Sequence, residues 1–306
     1  MIKNCPACGC FRVWRDGKRN GRQRWRCRDC RHVWQAEARA HNAWVSKAYR
    51  AYSSGRQTLS DLALRYHCCT KTLQRHFDHH NPASPVIAVA ENPVALIFDG
   101  TFFGRGYGWM IYRAYGRNIH WQEIESENLA IMERGLRHLA AQGWCFSSIT
   151  IDGRKGTVSL IKRLFPDVPI QLCIFHQKAI IRRYLTAQPK TKCGKEIRTL
   201  VSFMMHMDEK AFLQCLVGIK KDYADFLKER NEQGQFKHRK LRSALRSLTT
   251  NAPLLYTYKN YPELTIPTTT NSCDGSFAHW KNKIKIHRGL RKHRRTKMIK
   301  TILEKT

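Results

Sequence analysis

Two apolar runs of this sequence each end on an aspartate: Val-Ala-Leu-Ile-Phe-Asp at 94–99 and Phe-Ser-Ser-Ile-Thr-Ile-Asp at 146–152. Short runs rich in β-branched and aromatic residues are typical of buried strands. In open α/β sheets, ligand sites gather at the carboxyl ends of the strands. The sequence therefore predicts two buried strands with Asp99 and Asp152 at their carboxyl ends.

The residues around these two runs predict the fold class. Further strands are predicted at 109–115, 119–124 and 168–174, and helices at 128–142, 158–165 and 176–186. Gly104, Gly106 and Gly108 lie between the first two strands with no helix after them, which favours a hairpin over a nucleotide-binding loop. The order βββαβαβα predicts an α/β fold with a mixed sheet and helices on its faces. Residues 190–260 have apolar residues at helical spacing, which predicts a helical insertion.

Near the start of the chain, four cysteines form two Cys-x-x-Cys pairs with 18 residues between them: Cys5, Cys8, Cys27 and Cys30. This spacing predicts a zinc ribbon in which the four thiolates hold one structural Zn²⁺. Cys10 is close enough in sequence to replace Cys8 as a ligand. Between the pairs lie seven cationic residues, which predict a surface suited to polyphosphate: Arg12, Arg15, Lys18, Arg19, Arg22, Arg24 and Arg26.

Residues 58–77 have the pattern of a helix-turn-helix. In the first helix, capped by Thr58 or Ser60, the apolar residues at helical spacing are Leu59, Leu62, Ala63 and Tyr66. After a break at 67–69, Thr70 is expected to cap a second helix that buries Leu73 and Phe77. Its outward side chains are predicted to contact a DNA major groove: Lys71, Thr72, Gln74 and Arg75. An ordinary helical hairpin with a solvated basic face is the alternative.

The charge balance favours a polyanionic partner. Lys and Arg number 55 against 23 Asp and Glu, a net charge of +32, and nucleic acid explains such an excess best. We expect no membrane association, because no apolar stretch approaches the roughly 20 residues of a spanning helix. Scattered cysteines and the lack of a signal peptide predict a reducing, cytoplasmic setting. A cationic helix near the end supplies predicted phosphate contacts, with a solvated face as the alternative: Arg288, Arg291, Lys292, Arg294 and Arg295.

Asp99 and Asp152 are also of the residue type that binds divalent cations. Carboxylates at strand ends suit Mg²⁺, which prefers oxygen ligands and retains several waters. Two such ions catalyse phosphodiester transfer by activating one oxygen and stabilising the leaving one. The alternative is that each aspartate merely caps the turn that follows it, as in Asp152-Gly-Arg-Lys-Gly156.

Two further motifs resemble those of a known family. Gln-Leu-Cys-Ile-Phe-His-Gln at 171–177 is similar to the Cys-x-x-His element of Mutator-like transposases of bacterial insertion sequences. Thr-Thr-Asn-Ser-Cys-Asp-Gly at 269–275, followed by a cationic stretch, resembles the segment that carries their third catalytic acid. The resemblance covers almost the whole chain. It implies a DDE-type transposase with a ribonuclease-H-like core, in which Asp99, Asp152 and Asp274 hold Mg²⁺ or Mn²⁺.

The chain departs from the family pattern at one position. The family usually has Glu where this chain has Asp274, and Asp shortens the reach of the carboxylate. Glu263 is the nearest alternative acid, although it lies outside the motif. The resemblance implies an active-site role for Cys173 and His176, whereas periodicity favours a buried strand cysteine and a helix-cap histidine. A second zinc site that uses Cys193 is a further alternative.

The predicted organisation has six segments. They are a zinc ribbon (1–39), a helix-turn-helix (40–80), a linker (81–92), the first part of the ribonuclease-H-like core (93–189), an α-helical insertion (190–262) and the closing helix with a basic tail (263–306). The predicted function is a nucleoid-associated bacterial transposase that binds double-stranded DNA at element ends and at the target. Joining two ends implies a homo-oligomer. A DNA-binding regulator without catalysis and a plain nuclease are the alternatives.

Overall fold

The computed structural model describes residues 4–19, 21–35, 39–81, 87–287 and 289–305, and for Arg22, residues 39–42 and Asp274 it describes the backbone alone. The chain divides into two compact units. One comprises Met1–Ala83 with Ile286–Arg294, and the other Ser84–Lys285 with Arg295–Thr306. Each unit is described by itself.

The first unit begins with a small three-stranded antiparallel sheet. Its strands are β1 (Val13–Arg19), β2 (Arg22–Cys27) and β3 (Val33–Gln35), in that order. Among its described side chains, only those of Cys5 and Cys27 are buried. This small sheet therefore has no apolar core in its described part.

Three helices follow: α1 (Arg39–Ser54), α2 (Leu59–Arg65) and α3 (Thr70–His79). Thr58 caps α2 as predicted, in a reciprocal capping box with Asp61. Cys69, rather than the predicted Thr70, caps α3, because Thr70 is already helical and the Cys69 Sγ accepts the Thr72 N–H at 3.4 Å. Leu73 and Phe77 of α3 are buried, as the periodicity predicted.

A five-stranded mixed sheet forms the centre of the second unit. Its strands are β4 (Val94–Gly104), β5 (Tyr107–Ala114), β6 (Arg117–Ile124), β7 (Phe146–Ile151) and β8 (Ile170–Leu172), in the order β6-β5-β4-β7-β8. The first three strands along the chain are antiparallel neighbours, and β7 and β8 run parallel to β4. The mixed α/β class predicted from the sequence is confirmed.

The structure corrects the expected end of the first strand. β4 does not end on Asp99 but continues to Gly104, because β5 remains paired with it from Ile97 to Gly104. Its parallel pairing with β7, by contrast, ends at the Ile97–Thr150 pair. Asp99 is therefore paired with β5 but lies just beyond the residues of β4 that pair with β7. β8 is also shorter than predicted, because helix α6 begins at Ile174.

Helices cover the sheet and continue into a helical region. Those that alternate with strands are α4 (Leu129–Ala141), α5 (Thr157–Leu164) and α6 (Ile174–Leu185). The predicted helical region contains α7 (Lys192–Phe203), α8 (Glu209–Asp222), α9 (Ala224–Lys228), α10 (Arg239–Leu255) and α11 (Thr257–Asn260). Across the described ranges, no helix is both long enough and apolar enough to cross a bilayer.

The cationic C-terminal stretch forms two helices where one was predicted. α12 (Asn271–Ile286) ends before Gly289, whose φ of 77° leaves the helical range, and α13 (Lys292–Leu303) begins after it. The break follows from that left-handed glycine.

The two faces of the large sheet differ in composition. On one face, Leu96 and Phe98 of β4 join Ile149 and Ile151 of β7 in the main apolar core, together with the buried side of α4. Because strand residues alternate between faces, Asp99 and Thr150 lie on the opposite face. There, Arg113 of β5 donates to the Ser276 hydroxyl of α12 at 2.8 Å. α12 therefore packs on the face that carries Asp99.

Candidate acidic site and four-cysteine cluster

The four predicted cysteine ligands of the small sheet come together. The sulfurs of Cys5, Cys8, Cys27 and Cys30 all lie within 4.8 Å of one another, and two pairs are 3.6 Å apart. A disulfide would require about 2 Å. A regular tetrahedron with Zn–S bonds of about 2.3 Å has sulfurs about 3.8 Å apart. The cluster therefore fits a structural metal such as zinc.

The thiols of this cluster shift in opposite directions: although backbone N–H groups lower it, hydrogen bonds among the sulfurs and burial raise the pKa of Cys8 and of Cys30. Backbone N–H groups, first that of Cys30 and then that of Asp29, lower the pKa of Cys27 to about 7 against the opposing effect of burial. Cys10 lies outside the group, since its sulfur accepts the Arg12 N–H at 3.1 Å. Cys8, rather than Cys10, is therefore the fourth member of the sulfur cluster.

The first two predicted acids follow paired residues of neighbouring strands. Ile97 of β4 pairs with Thr150 of β7, and Asp99 and Asp152 each come two residues later. Since paired residues on parallel strands share a face and the side-chain period is two, Asp99 lies on the face of Ile97 and Thr150, and Asp152 follows directly after the end of β7. Both are partly buried. The Asp99 Oδ1 accepts the Gly100 N–H at 2.7 Å.

Two hydrogen bonds connect the segment before α12 to this edge of the sheet. The Thr150 hydroxyl donates to the Pro267 carbonyl at 2.8 Å, and the Ile174 N–H donates to the Thr268 carbonyl at 3.0 Å. These bonds fix the start of α12 beside the ends of β7 and β8. Asp274 lies in the first turn of that helix, and its side chain is outside the described part of the structure. Glu263 is exposed on the short turn Pro262–Leu264.

Cys173, Thr270 and His176 form a hydrogen-bonded group at this point. The Cys173 sulfur accepts from the Thr270 N–H at 3.3 Å and from its hydroxyl at 3.5 Å, and that hydroxyl lies 3.3 Å from His176 Nδ1. Cys173 N–H in turn donates to the Ile151 carbonyl at 2.7 Å, next to Asp152. Burial raises the pKa of the Cys173 thiol, but hydrogen bonds with His176 and Thr270 outweigh it and lower the pKa. Cys173 is buried at the N-cap of α6 rather than in a strand, and His176 is the third residue of that helix rather than its cap; both contact Thr270, the residue directly before α12.

Glu127 is an acid at this site that sequence reasoning missed. It precedes Asn128, the residue that caps α4, and a Cβ built on Gly100 would lie 2.0 Å from its Oε1. Arg154 donates to its Oε2 at 2.6 Å and also to its backbone carbonyl. Burial, and then the charge of Asp152, raise the pKa of Glu127 despite Arg154. Glu127 thus packs between the backbone after Asp99 and the turn after Asp152.

The described side chains do not complete an acidic metal site. Among them, the four cysteines are the single group of three or more His, Cys, Asp or Glu residues close enough to hold a metal ion. Asp99 and Asp152 have the oxygen ligands that Mg²⁺ prefers, so the chemistry of the donors fits. For Asp274, the third predicted ligand, the structure describes the backbone alone.

The predicted DNA-binding residues differ in exposure. On α3, Lys71 and Arg75 are exposed, whereas Thr72 and Gln74 are partly buried. Near the C terminus, Arg291 and Lys292 are exposed, Arg295 is partly buried, and Arg288 lies outside the described residues.

Arg294 differs from the other predicted phosphate-binding cations. Its guanidinium donates to both carboxylate oxygens of Asp78, at 2.8 and 2.6 Å. This contact raises the pKa of Arg294, chiefly through the hydrogen bond to Asp78. Arg294 is therefore engaged within its own unit, and the phosphate role predicted for it would require this ion pair to open.

Comparisons with known proteins leave the family open. No family model matches the chain, and no curated protein matches it. A solved structure that does match is the simian T-cell lymphotropic virus intasome in complex with PP2A regulatory subunit B56 gamma, at 13% identity over 66% of this chain and 68% of that chain. With a TM-score of 0.22, this likeness carries no argument.

Proposed function

We propose that this chain is a DDE-type DNA transposase that cleaves the ends of a mobile element and transfers them to a target duplex. The observation that carries the proposal is the register of β4 and β7. Asp99 and Asp152 each follow the Ile97–Thr150 pair by two residues, and the Thr150 hydroxyl donates to Pro267, shortly before α12. We further propose that the sheet is of the ribonuclease-H-like type, since three antiparallel strands flanked by two parallel ones match the predicted order.

In this proposal Asp99, Asp152 and Asp274 hold Mg²⁺ or Mn²⁺. Bound there, the cation would supply positive charge next to the oxygens of the reacting phosphate. Glu127 and its partner Arg154 keep the two aspartate-bearing segments at a fixed spacing. The group of Cys173, Thr270 and His176 fixes the start of α12, and with it the backbone of the third acid. The protein's main contribution is therefore positioning.

The reaction consists of two in-line displacements at phosphorus. Water attacks the phosphate at the element end, and the bond to the 3′ oxygen breaks so that a 3′-hydroxyl is released. That hydroxyl then attacks a phosphate of the target strand, which releases a new 3′ end there. The zinc ribbon and helix-turn-helix of the first unit are proposed to bind the element ends, where exposed Lys71 and Arg75 supply cations. Because two ends are joined, the active form is proposed to be a homo-oligomer.

A strand-cleavage assay tests this proposal. The purified protein is incubated with Mg²⁺ and a duplex that carries an end of the DNA element encoding the chain. We expect Asp99→Asn or Asp152→Asn to reduce cleavage by about 10³-fold or more, because oxygen ligands are lost at the reacting phosphate. Asp167→Asn removes an exposed carboxylate elsewhere in the same unit and should cleave at the wild-type rate.

The outcomes of this assay separate the alternatives. Cleavage at the wild-type rate by both Asp99→Asn and Asp152→Asn would contradict the catalytic assignment. Cleavage without joining of the 3′ end to a second duplex would indicate a nuclease. Tight binding of the element end by the wild type with no nick would indicate a DNA-binding regulator.

A further inference from the structure

The helical region contains a cleft that the proposed reaction does not use. It has a volume of about 390 Å³ and lies between α8, α9 and α10. We call it the basic cleft and define it by its four cations, Lys220, Lys228, Arg242 and Arg246. Its apolar floor includes Leu227 and Leu245, which are buried. No acidic residue lines the cleft within the described structure.

Two of the four cations are held in place at the inner part of the cleft. The Lys220 ammonium donates to the Thr249 hydroxyl at 2.8 Å. The Arg242 guanidinium lies over the Phe236 ring, 3.7 Å from its centroid, and donates to the Leu227 carbonyl at 3.2 Å. Both residues are partly buried, and the partners just given are neutral. Partial burial of cations against neutral partners costs free energy, which an anion in the cleft would offset.

The other two cations are exposed and form the rim. Lys228 and Arg246 both reach solvent, and the contact of Lys228 with the fully exposed Asp225 is long, at 3.9 Å. An exposed pair at this distance contributes little to stability. These two side chains can therefore reorient toward a ligand at small cost.

We propose that the basic cleft binds the phosphodiester backbone of a DNA strand. Four cations without an acid among the lining residues match a polyphosphate in charge, and the apolar floor suits the sugar beside the phosphate. The volume lies near the lower end of the roughly 300–1,000 Å³ that ligand pockets span, which leaves room for about one nucleotide. The inference rests on the proposed function, which supplies the DNA, and adds to it a contact in the helical region.

The test is DNA binding by the full chain without added divalent cation, so that no cleavage occurs. The probe is a fluorescein-labelled 30-base-pair duplex, titrated at several salt concentrations. The cleft variant is Lys228→Gln with Arg246→Gln, both exposed, so folding is preserved and is checked by circular dichroism. The matched control is Lys221→Gln with Lys240→Gln, two exposed cations of α8 and α10 that do not line the cleft.

We expect the cleft variant to bind about tenfold more weakly near 0.15 M salt, and its slope of log K against log salt to fall by about 2. The control variant should stay within about twofold of the wild type. Equal losses in both variants would overturn the proposal, because they would reflect net charge alone. Undiminished binding by the cleft variant would also overturn it and would leave the cleft to an acidic protein segment.

The outcome of this binding test does not depend on the outcome of the cleavage test. If the cleft variant loses affinity while the wild type never cleaves DNA, the cleft assignment stands and the transposase proposal falls. If the Asp99 and Asp152 variants lose cleavage while the cleft variant binds normally, the transposase proposal stands and the cleft assignment falls.

Discussion

The small N-terminal sheet and the large central sheet are stabilised in different ways, although each carries a candidate metal site. In the small sheet only two cysteines are buried among the described side chains, and four sulfurs lie close together. In the large sheet a continuous apolar core lies on one face and carboxylates lie at an edge of the other. The comparison predicts that the small sheet depends on a bound metal for its folding, whereas the large sheet can fold without one.

Removal of zinc gives the largest expected effect and tests the comparison directly. Structural zinc contributes roughly 10 kcal/mol or more to the folding of such small units. After treatment with EDTA, or in Cys27→Ser, we expect amide protons of 13–35 to exchange freely. Amide protons of β4 to β8 should keep their protection, because that sheet has an apolar core. Hydrogen exchange followed by mass spectrometry measures both regions in one sample.

Metal analysis must accompany that experiment. If residues 13–35 stayed protected in protein shown to be free of zinc, the prediction that the small sheet depends on a metal would be wrong.

Acid should weaken the large sheet through one partly buried ring. His120 of β6 packs against His138 of α4 with the rings tilted and their centroids 4.5 Å apart. Burial, and then the charge of His138, lower the pKa of His120 to about 4. Between pH 6.5 and 4 the unfolded chain therefore binds more protons than the folded one, so stability falls as pH falls. Allowing for partial exposure, the loss is about 2 kcal/mol.

Urea unfolding at pH 7.5, 5.5 and 4.5 measures this loss. His120→Phe keeps the ring packing and should remove about 2 kcal/mol of the decline. His206→Gln changes an exposed histidine of the same unit and should leave the decline as in the wild type. An unchanged decline in His120→Phe would show that other groups cause the acid sensitivity.

The group around Thr270 should affect activity more than stability. Thr270→Val is close in shape but lacks the hydroxyl that contacts Cys173 and His176. We expect a loss of about 1 kcal/mol in stability and, if the start of α12 shifts, a fall of about tenfold or more in strand cleavage. Thr270→Ser retains the hydroxyl and should restore the rate. A variant that lost stability but kept full cleavage would separate this group from the site.

Patterns local in sequence predicted much of the structure. The two Cys-x-x-Cys pairs predicted the sulfur cluster, and helical periodicity predicted α2, α3 and α4 with boundaries close to those observed. Apolar runs predicted β4 and β7, and the glycines between the first two strands predicted their hairpin. These features depend on neighbours in sequence, which is why spacing alone revealed them.

Features that depend on distant residues were missed or misplaced. The extension of β4 past Asp99 depends on pairing with β5, which a single apolar run does not reveal. Glu127 lies in a connection with no periodic signal, and its importance depends on Gly100 and Arg154, far from it in sequence. Its place directly before the capping residue Asn128 was the one local sign, because it ties the acid to the start of α4.

The central claim is that the edge of the large sheet binds a hard divalent cation through Asp99 and Asp152, apart from the sulfur cluster. Titration of the zinc-loaded chain with Mn²⁺, followed by electron paramagnetic resonance, measures this directly. We expect Mn²⁺ binding in the wild type, its loss in Asp99→Asn with Asp152→Asn, and an unchanged zinc content in both. Equal binding of Mn²⁺ by that double variant and the wild type would contradict the claim.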